Sequence, residues 1–424
     1  MLADRLKRAE HIGAMRRAFS SVKRRQKANA SHIPDLLDRK RRLREARERT
    51  VGVQAYLDEV VEAMTRNGIR VNIARDSKDA VNLVRAELGG AGLVVKSKSN
   101  LTKEIGLVEL LERSGVRVIE TDIGDRIIQI AQEKASHPTG PASHLSRKDI
   151  AHILAGHFGR KVRPVAQEIV QAIREEVYGY ITQAEIGITG ANAIAADEGA
   201  ILLQHNEGNI IEVAMRPAKH IVLAGIEKIY PNIEESLNML RLQTFYATGA
   251  LTTSFINIVS GPSQTADIEK QLIKGVHGPS EVSVILVDNG RSKVAEMSEY
   301  RELLYCIGCG QCLLVCPAYR VYGNKFSAAG ELGGRGIAYS SLCGDTNGNE
   351  ALGWCLTCGK CYQNCPVSIN VPGIVHRLRS DAGGAGYIIS SFFSSHLRWL
   401  GSGFLLEFLL LASKISAVTG AEVE

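Results

Sequence analysis

Two cysteine runs constrain this chain more than any other feature. Cys306-Ile-Gly-Cys309-Gly-Gln-Cys312-Leu-Leu-Val-Cys316-Pro317 and Cys355-Leu-Thr-Cys358-Gly-Lys-Cys361-Tyr-Gln-Asn-Cys365-Pro366 share the spacing C-x2-C-x2-C-x3-C-P, repeated at an offset of 49 residues. In bacterial ferredoxins this spacing lets three thiolates wrap one face of a cuboidal iron–sulfur core, while the fourth, next to a proline, serves the other cube. Two [4Fe–4S] clusters are therefore expected, one on Cys306, Cys309, Cys312 and Cys365, the other on Cys355, Cys358, Cys361 and Cys316. Zinc also takes four thiolates, but it favours two separated C-x2-C pairs over a four-member run. One metal site would suffice to hold a fold, whereas two cubes tied by crossed ligands suit electron relay. Cys343 is left over and is expected to be a buried free thiol.

The remaining sequence leaves room for further cores, since 424 residues exceed the roughly 100–200 of one domain. A composition of 45% hydrophobic and 23% charged residues excludes a wholly disordered chain. Charge is uneven: residues 1–50 hold 16 basic and 6 acidic side chains, and the other 374 residues sum to −4. The basic arm, residues 1–60, reads as helix broken at Pro34, with a solvated face or a partner-docking role. Phe19 is almost its only aromatic, so no stacking platform is present and no nucleic acid is expected. No export signal precedes it, and eight of nine cysteines fall in the quartets, so a cytoplasmic, reducing setting is expected. Residues 381–424 form an apolar tail whose runs Arg398, Glu407 and Lys414 interrupt, leaving membrane contact at most peripheral.

Between the arm and the cysteines, residues 61–295 alternate apolar runs with helical patterns. Gly92-Leu-Val-Val-Lys, Val116-Arg-Val-Ile-Glu, Ile201-Leu-Leu-Gln, His220-Ile-Val-Leu-Ala and Val282-Ser-Val-Ile-Leu-Val-Asp read as strands. Leu101–Ser114, Ser146–Phe158, Ala166–Ala184 and Glu234–Thr248 read as helices. The alternation predicts an α/β domain with covered sheet faces and ligand sites at the carboxyl ends of the strands. Residues 296–380, rich in glycine and cysteine, predict a smaller ferredoxin-like domain with helices between the quartets.

Candidate ligand-binding residues lie in the α/β loops. Lys96 and Lys98, between a strand and a helix, could cradle an anion. His137 and His144 bracket a Pro/Gly loop and could bind a metal or shuttle a proton. Asn192, Glu198, Asn206, Glu207 and Asn209 cluster around glycines at the two ends of one strand and suggest a ligand pocket. Gly261-Pro-Ser-Gln-Thr265-Ala-Asp267 is read as entering a helix that could hold an anion, and Asp288-Asn-Gly-Arg291 as a turn. No P-loop or G-x-G-x-x-G is present.

In combination, Val95-Lys-Ser-Lys-Ser, Thr102-Lys-Glu-Ile-Gly-Leu, Val118-Ile-Glu-Thr-Asp-Ile-Gly, Glu198-Gly to Asn206-Glu-Gly-Asn, Gly225-Ile-Glu-Lys, Asp288-Asn-Gly-Arg-Ser and the paired quartets resemble the lactate utilization protein B family over about residues 55–375. The resemblance implies a LUD domain of the sugar-isomerase and CoA-transferase fold joined to a mainly helical two-cluster ferredoxin-like domain. It also implies work beside a cysteine-rich redox subunit and a second LUD-type subunit in oxidising lactate to pyruvate. Electrons would pass to a quinone or a protein carrier. Other readings remain: a subunit of another iron–sulfur oxidoreductase, such as a heterodisulfide-reductase-like complex, or a CoA-transferase-like enzyme with Glu198 or Glu207 as nucleophile and the clusters as a sensor.

Overall fold

The computed structural model describes residues 2–328, 330–344 and 346–381, so the apolar tail expected over 381–424 lies outside them except for its first residue. Twelve strands precede the cysteine runs: β1 (Arg70–Ala74), β2 (Leu93–Lys96), β3 (Arg117–Glu120), β4 (Ile186–Gly190), β5 (Ala193–Ala195), β6 (Ala200–His205), β7 (Lys219–Gly225), β8 (Ile229–Tyr230), β9 (Phe255–Val259), β10 (Gln264–Thr265), β11 (Ile273–Lys274) and β12 (Glu281–Val287). Six of them form one fully parallel sheet in the order β1-β12-β7-β4-β2-β3. Such a sheet needs cover on both faces, which is why β7 and β12 are near-continuous apolar runs. Ile285 and Val287 face helices Ser77–Leu88 and Leu107–Glu112, while Val284 and Leu286 face helix Gln54–Arg66 and the second sheet. Helices Arg147–Phe158 and Ala166–Gln183 cover Val95 and Ile119.

All five expected strands form, but the Ile201 strand belongs to a separate four-stranded sheet ordered β8-β5-β6-β9. The expected helix over Leu101–Ser114 is two helices, Asn100–Glu104 and Leu107–Glu112, divided at Gly106 with its positive φ of 64°. No helix follows Gly261; Gln264–Thr265 and Ile273–Lys274 pair as a small antiparallel ladder, so an anion site at a helix start there is withdrawn. Helices Gly333–Leu342 and Thr346–Leu352 do lie between the cysteine runs. No helix among the described residues is long and apolar enough to cross a membrane.

The basic arm is not the solvated appendage its charge suggested. It comprises helices Leu2–Asn29 and Leu36–Thr50, interrupted around Pro34. Met15, Phe19 and Leu43 are buried in a core shared with helix Ile233–Thr248 and with Leu303, Leu313 and Ile374 from the cysteine-bearing part. Each such side chain contributes roughly 1.5–3 kcal/mol by leaving water. Arg47, 0% exposed, donates to the carbonyls of Leu304 at 2.7 Å and Ile229 at 3.3 Å and lies over the Tyr230 ring. Arg44 donates to Val367 O at 2.9 Å and sits over Tyr305. The arm is a strap across both domains: Arg16, Arg39, Arg42, Arg44 and Arg47 bond this chain's own carbonyls and carboxylates, while Arg17, Arg24, Arg25 and Lys27 face solvent.

Candidate redox site

In both cysteine runs the backbone turns into the left-handed region at equivalent positions: Gly308 and Gly310 (φ 70° each) in the first, Thr357 (45°) and Gly359 (80°) in the second. These turns curl each loop around its sulfurs and aim amides inward, with Gly308 N–H donating to Cys306 Sγ at 3.4 Å and Tyr319 N–H to Cys316 Sγ at 3.4 Å. All nine cysteines are unpaired.

The eight quartet sulfurs sort into two groups that cross the runs. Cys309 feels Cys306 and Cys365, and Cys312 feels both of them and also Cys361, whereas Cys316 and Cys361 feel Cys355 and Cys358. A small cavity is lined by Cys316, Cys355, Cys358 and Cys361 together with Cys312, a member of the other group. Burial, and then the neighbouring sulfurs, push Cys316 and Cys361 up to about 12 and Cys309 and Cys312 further. Buried thiols crowded this way resist ionising on their own. Iron supplies the positive charge that holds them as thiolates, so the donor set fits iron–sulfur chemistry. Cys343 lies at the surface rather than buried, with Sγ 3.9 Å from Asn289 O.

A cavity of about 1260 Å³ lies against the first loop. One wall is the carboxyl edge of the parallel sheet, where β2 and β4 are neighbours although the chain leaves them in opposite directions, the position at which such sheets bind ligands. Its other wall includes Cys306, Gly308, Gly310 and Cys312.

Six of the nine candidate pocket residues line this cavity: Lys98, His137, Asn192, Asn206, Glu207 and Asn209. Lys98 donates to Asp122 at 2.7 Å. Burial alone would lower its pKa, but Asp122, Asp125 and Glu207 outweigh this and hold its ammonium above the usual range. Glu207 accepts from Ile123 N–H at 3.2 Å and is pushed up to about 7, first by burial and then by Asp122. Asn206 accepts from Ser254 N–H at 3.0 Å, and Asn209 donates to Thr121 Oγ1 at 3.2 Å. His137 accepts from Thr139 N–H at 3.2 Å through Nδ1, and burial pushes it down to about 4, so it is neutral with its proton on Nε2.

The other three candidates are used elsewhere. Lys96, fully buried, donates to both Glu120 oxygens at 2.8 and 3.0 Å beneath the pocket floor. Glu198 is exposed and accepts from Ile233 N–H at 3.0 Å at the start of helix Ile233–Thr248. His144 opens onto a separate cavity beside Glu133.

Two groups escaped the sequence reading. Gln243 accepts from Asn192 Nδ2 at 2.8 Å and Gln204 Nε2 at 2.7 Å, and donates to Ile307 O inside the first cysteine loop. It joins pocket and loop; the polar pair Gln243-Thr244 inside an apolar helix was its only signal. Arg291 lies between Glu227 and Glu104, with a two-pronged grip on the latter at 2.9 and 2.8 Å. A Cβ at Gly225 would collide with both Glu227 and Arg291, so the glycine leaves room for the pair.

Gly310 is a sensitive backbone position in the first cysteine loop. Besides its positive φ, an added Cβ would run into His137 Nε2. Gly310→Ala is expected to displace the loop, costing roughly 1–2 kcal/mol in conformation alone, and to lower the bound iron. Iron analysis with far-UV circular dichroism would check this; full iron retention would show that the loop tolerates the side chain.

Comparisons with known proteins follow the same division. A family model described as LUD domain matches residues 57–287, and one described as 4Fe-4S dicluster domain matches residues 302–369. The chain is 34% identical to an uncharacterized electron transport protein, YkgF, of Escherichia coli, over 86% of this chain and 77% of that protein. It is 33% identical to lactate utilization protein B of Lysinibacillus sphaericus over 76% and 67% of the two chains, and 32% identical to that of Bacillus cytotoxicus over 84% and 75%. A solved DUF162 family protein from Deinococcus radiodurans covers 55% of this chain and 97% of its own at 14% identity, with a TM-score of 0.32, too low to bear on the reading.

Proposed function

Because the chain belongs to the family that joins a LUD domain to a 4Fe-4S dicluster domain, lactate utilization protein B among its members, we propose that it is the iron–sulfur subunit of a complex that oxidises lactate or a similar 2-hydroxy acid. It is an iron–sulfur electron-transfer protein related to lactate utilization protein B. The observation that carries the finer reading is the shared wall: the cavity at the sheet's carboxyl edge is bounded on its other side by Cys306 and Cys312.

Cys306, Cys309, Cys312 and Cys365 would hold one [4Fe–4S] cluster and Cys316, Cys355, Cys358 and Cys361 a second. Clusters so bound supply one-electron acceptance and relay. Oxidising a 2-hydroxy acid to a 2-oxo acid releases two electrons and two protons, so two sites that each take one electron match the demand. Lys98 and Lys228 line the cavity and would supply positive charge for a carboxylate substrate, whereas Lys103 and Arg291, also on its lining, are held by Asp125 and by Glu104 and Glu227. Glu207, poised near neutrality, is placed to receive a proton. Gln243 keeps the Asn192 side of the pocket in register with the cysteine loop. A cysteine-rich redox subunit and a second LUD-type subunit would complete the complex and lead electrons to a quinone or protein carrier. The names of the relatives support the lactate and electron-transfer parts of this reading. For a CoA-transferase-like role only Glu207 of the two candidate nucleophiles lines the cavity, since Glu198 lies outside it and caps a helix.

The test is anaerobic mixing of the complex with L- or D-lactate, followed by electron paramagnetic resonance. Reduction by one enantiomer is expected; a complex left fully oxidised by both would overturn the substrate assignment. Charge gives a second expectation. Below pH about 7 Glu207 is neutral, and above it the new carboxylate, beside Asp122 and Asp125, repels an anionic ligand. Affinity for a 2-hydroxy acid should therefore fall as pH rises through about 7, and Glu207→Gln should flatten that step. Binding measured from pH 6 to 8 would check it.

A further inference from the structure

Away from the cysteines, three donors from three segments converge where the arm meets the α/β domain. His11 lies on helix Leu2–Asn29, Glu133 follows helix Ile123–Ala131, and His144 precedes helix Arg147–Phe158. One donor atom from each lies within 4.8 Å of the other two. His144 is buried, 5% exposed; its Nε2 is 2.8 Å from Glu133 Oε2, and its Nδ1 has no hydrogen-bond partner among the described residues. The His11 and His144 rings meet edge to face, 5.2 Å between centres. Beside them opens a cavity of about 290 Å³, lined also by Ser136, Asn324 and Lys325.

We infer that His11, Glu133 and His144 form a divalent-cation site, suited to Zn²⁺, that clamps the N-terminal helix onto the α/β domain. Two imidazoles and one carboxylate are a donor set for zinc, whereas Mg²⁺ and Ca²⁺ require oxygens from several groups. Tetrahedral bonds of about 2.0–2.2 Å place ligand atoms roughly 3.3 Å apart, so donors now within 4.8 Å of one another need to close by at most about 1.5 Å. The metal would take the position of the proton now shared between His144 and Glu133. The cavity gives an entry path and space for water as a fourth ligand. Lys325 on the same cavity disfavours a bare dication, so affinity rests on the imidazoles.

The site is independent of the redox reading and is tested on the anaerobically purified full chain with its iron in place. Calorimetric titration with Zn²⁺ is expected to show one equivalent bound per chain, with iron and sulfide unchanged. His144→Gln and Glu133→Gln should weaken binding at least about tenfold, and Zn²⁺ should slow proteolysis of the N-terminal helix in the wild type alone. His11→Gln, on a partly exposed residue, guards against a folding defect at the buried His144; wild-type iron content in that variant certifies its fold. Absence of stoichiometric binding by the wild type, or equal binding by the wild type and His11→Gln, would overturn the inference.

Discussion

Replacing Cys365 by serine is expected to empty the metal site nearest the cavity, although Cys365 belongs to the second cysteine run. Its sulfur interacts with Cys306, and Cys309 and Cys312 both feel it. Iron should fall from about eight to about four atoms per chain, and reduction by the 2-hydroxy acid should be lost. Cys358→Ser, only seven positions earlier, should also halve the iron but should leave the site nearest the cavity reducible. An uncrossed arrangement would give the two variants the same phenotype. Iron and sulfide analysis with electron paramagnetic resonance on both distinguishes the cases.

The second large effect is on stability. Arg291, Glu104 and Glu227 have side-chain exposures of 5%, 7% and 9%, and the arginine lies over the Tyr339 ring of the cysteine-bearing part. Three motifs far apart in sequence, Thr102-Lys-Glu104, Gly225-Ile-Glu227 and Asp288-Asn-Gly-Arg291, thereby meet in one buried triad. Arg291→Met strands two carboxylates in low dielectric and is expected to cost about 3–5 kcal/mol, lowering the melting midpoint by roughly 10 °C. The pH dependence has a definite sign. Burial opposes the charge on Glu227, but Arg291 wins and holds its pKa at about 2. Its stabilising contribution is complete above the unfolded value of about 4.3 and fades as pH falls toward 2. The gap between variant and wild type should accordingly narrow in acid. Thermal melts at pH 3 and pH 7 would check this; an equal gap at both would place the lost stability in packing rather than charge.

What could be read ahead of the structure followed from local constraint. The cysteine spacing is a local pattern, and β2, β3, β7 and β12 are apolar runs buried on both faces. β1 was missed because it is an edge strand whose Arg70 and Ile73 are exposed. β4 was missed because it carries two glycines; a Cβ at Gly187 would collide with Val213 O, where helix Asn209–Met215 crosses it. The arm's burial was hidden because Met15, Phe19 and Leu43 are few among many charges, and Arg47 is buried only because carbonyls of distant segments satisfy it. Of the candidate lysines, Lys98 reaches the cavity and Lys96 does not: Lys96 is the last residue of β2 and is held by Glu120, whereas Lys98 lies beyond the strand end and pairs with Asp122. The triad and the bridging Gln243 depend on contacts between residues 39 to 187 positions apart, which no local pattern encodes.

The shared wall between cavity and first cysteine loop can be tested directly. Electron–nuclear double resonance on the dithionite-reduced, anaerobically purified chain, loaded with ¹³C-labelled 2-hydroxy acid, should show carbon coupling to one of two paramagnetic centres and lose it in Cys365→Ser. Two reducible centres with the acid bound but no coupling to either, or zinc in place of iron, would contradict it.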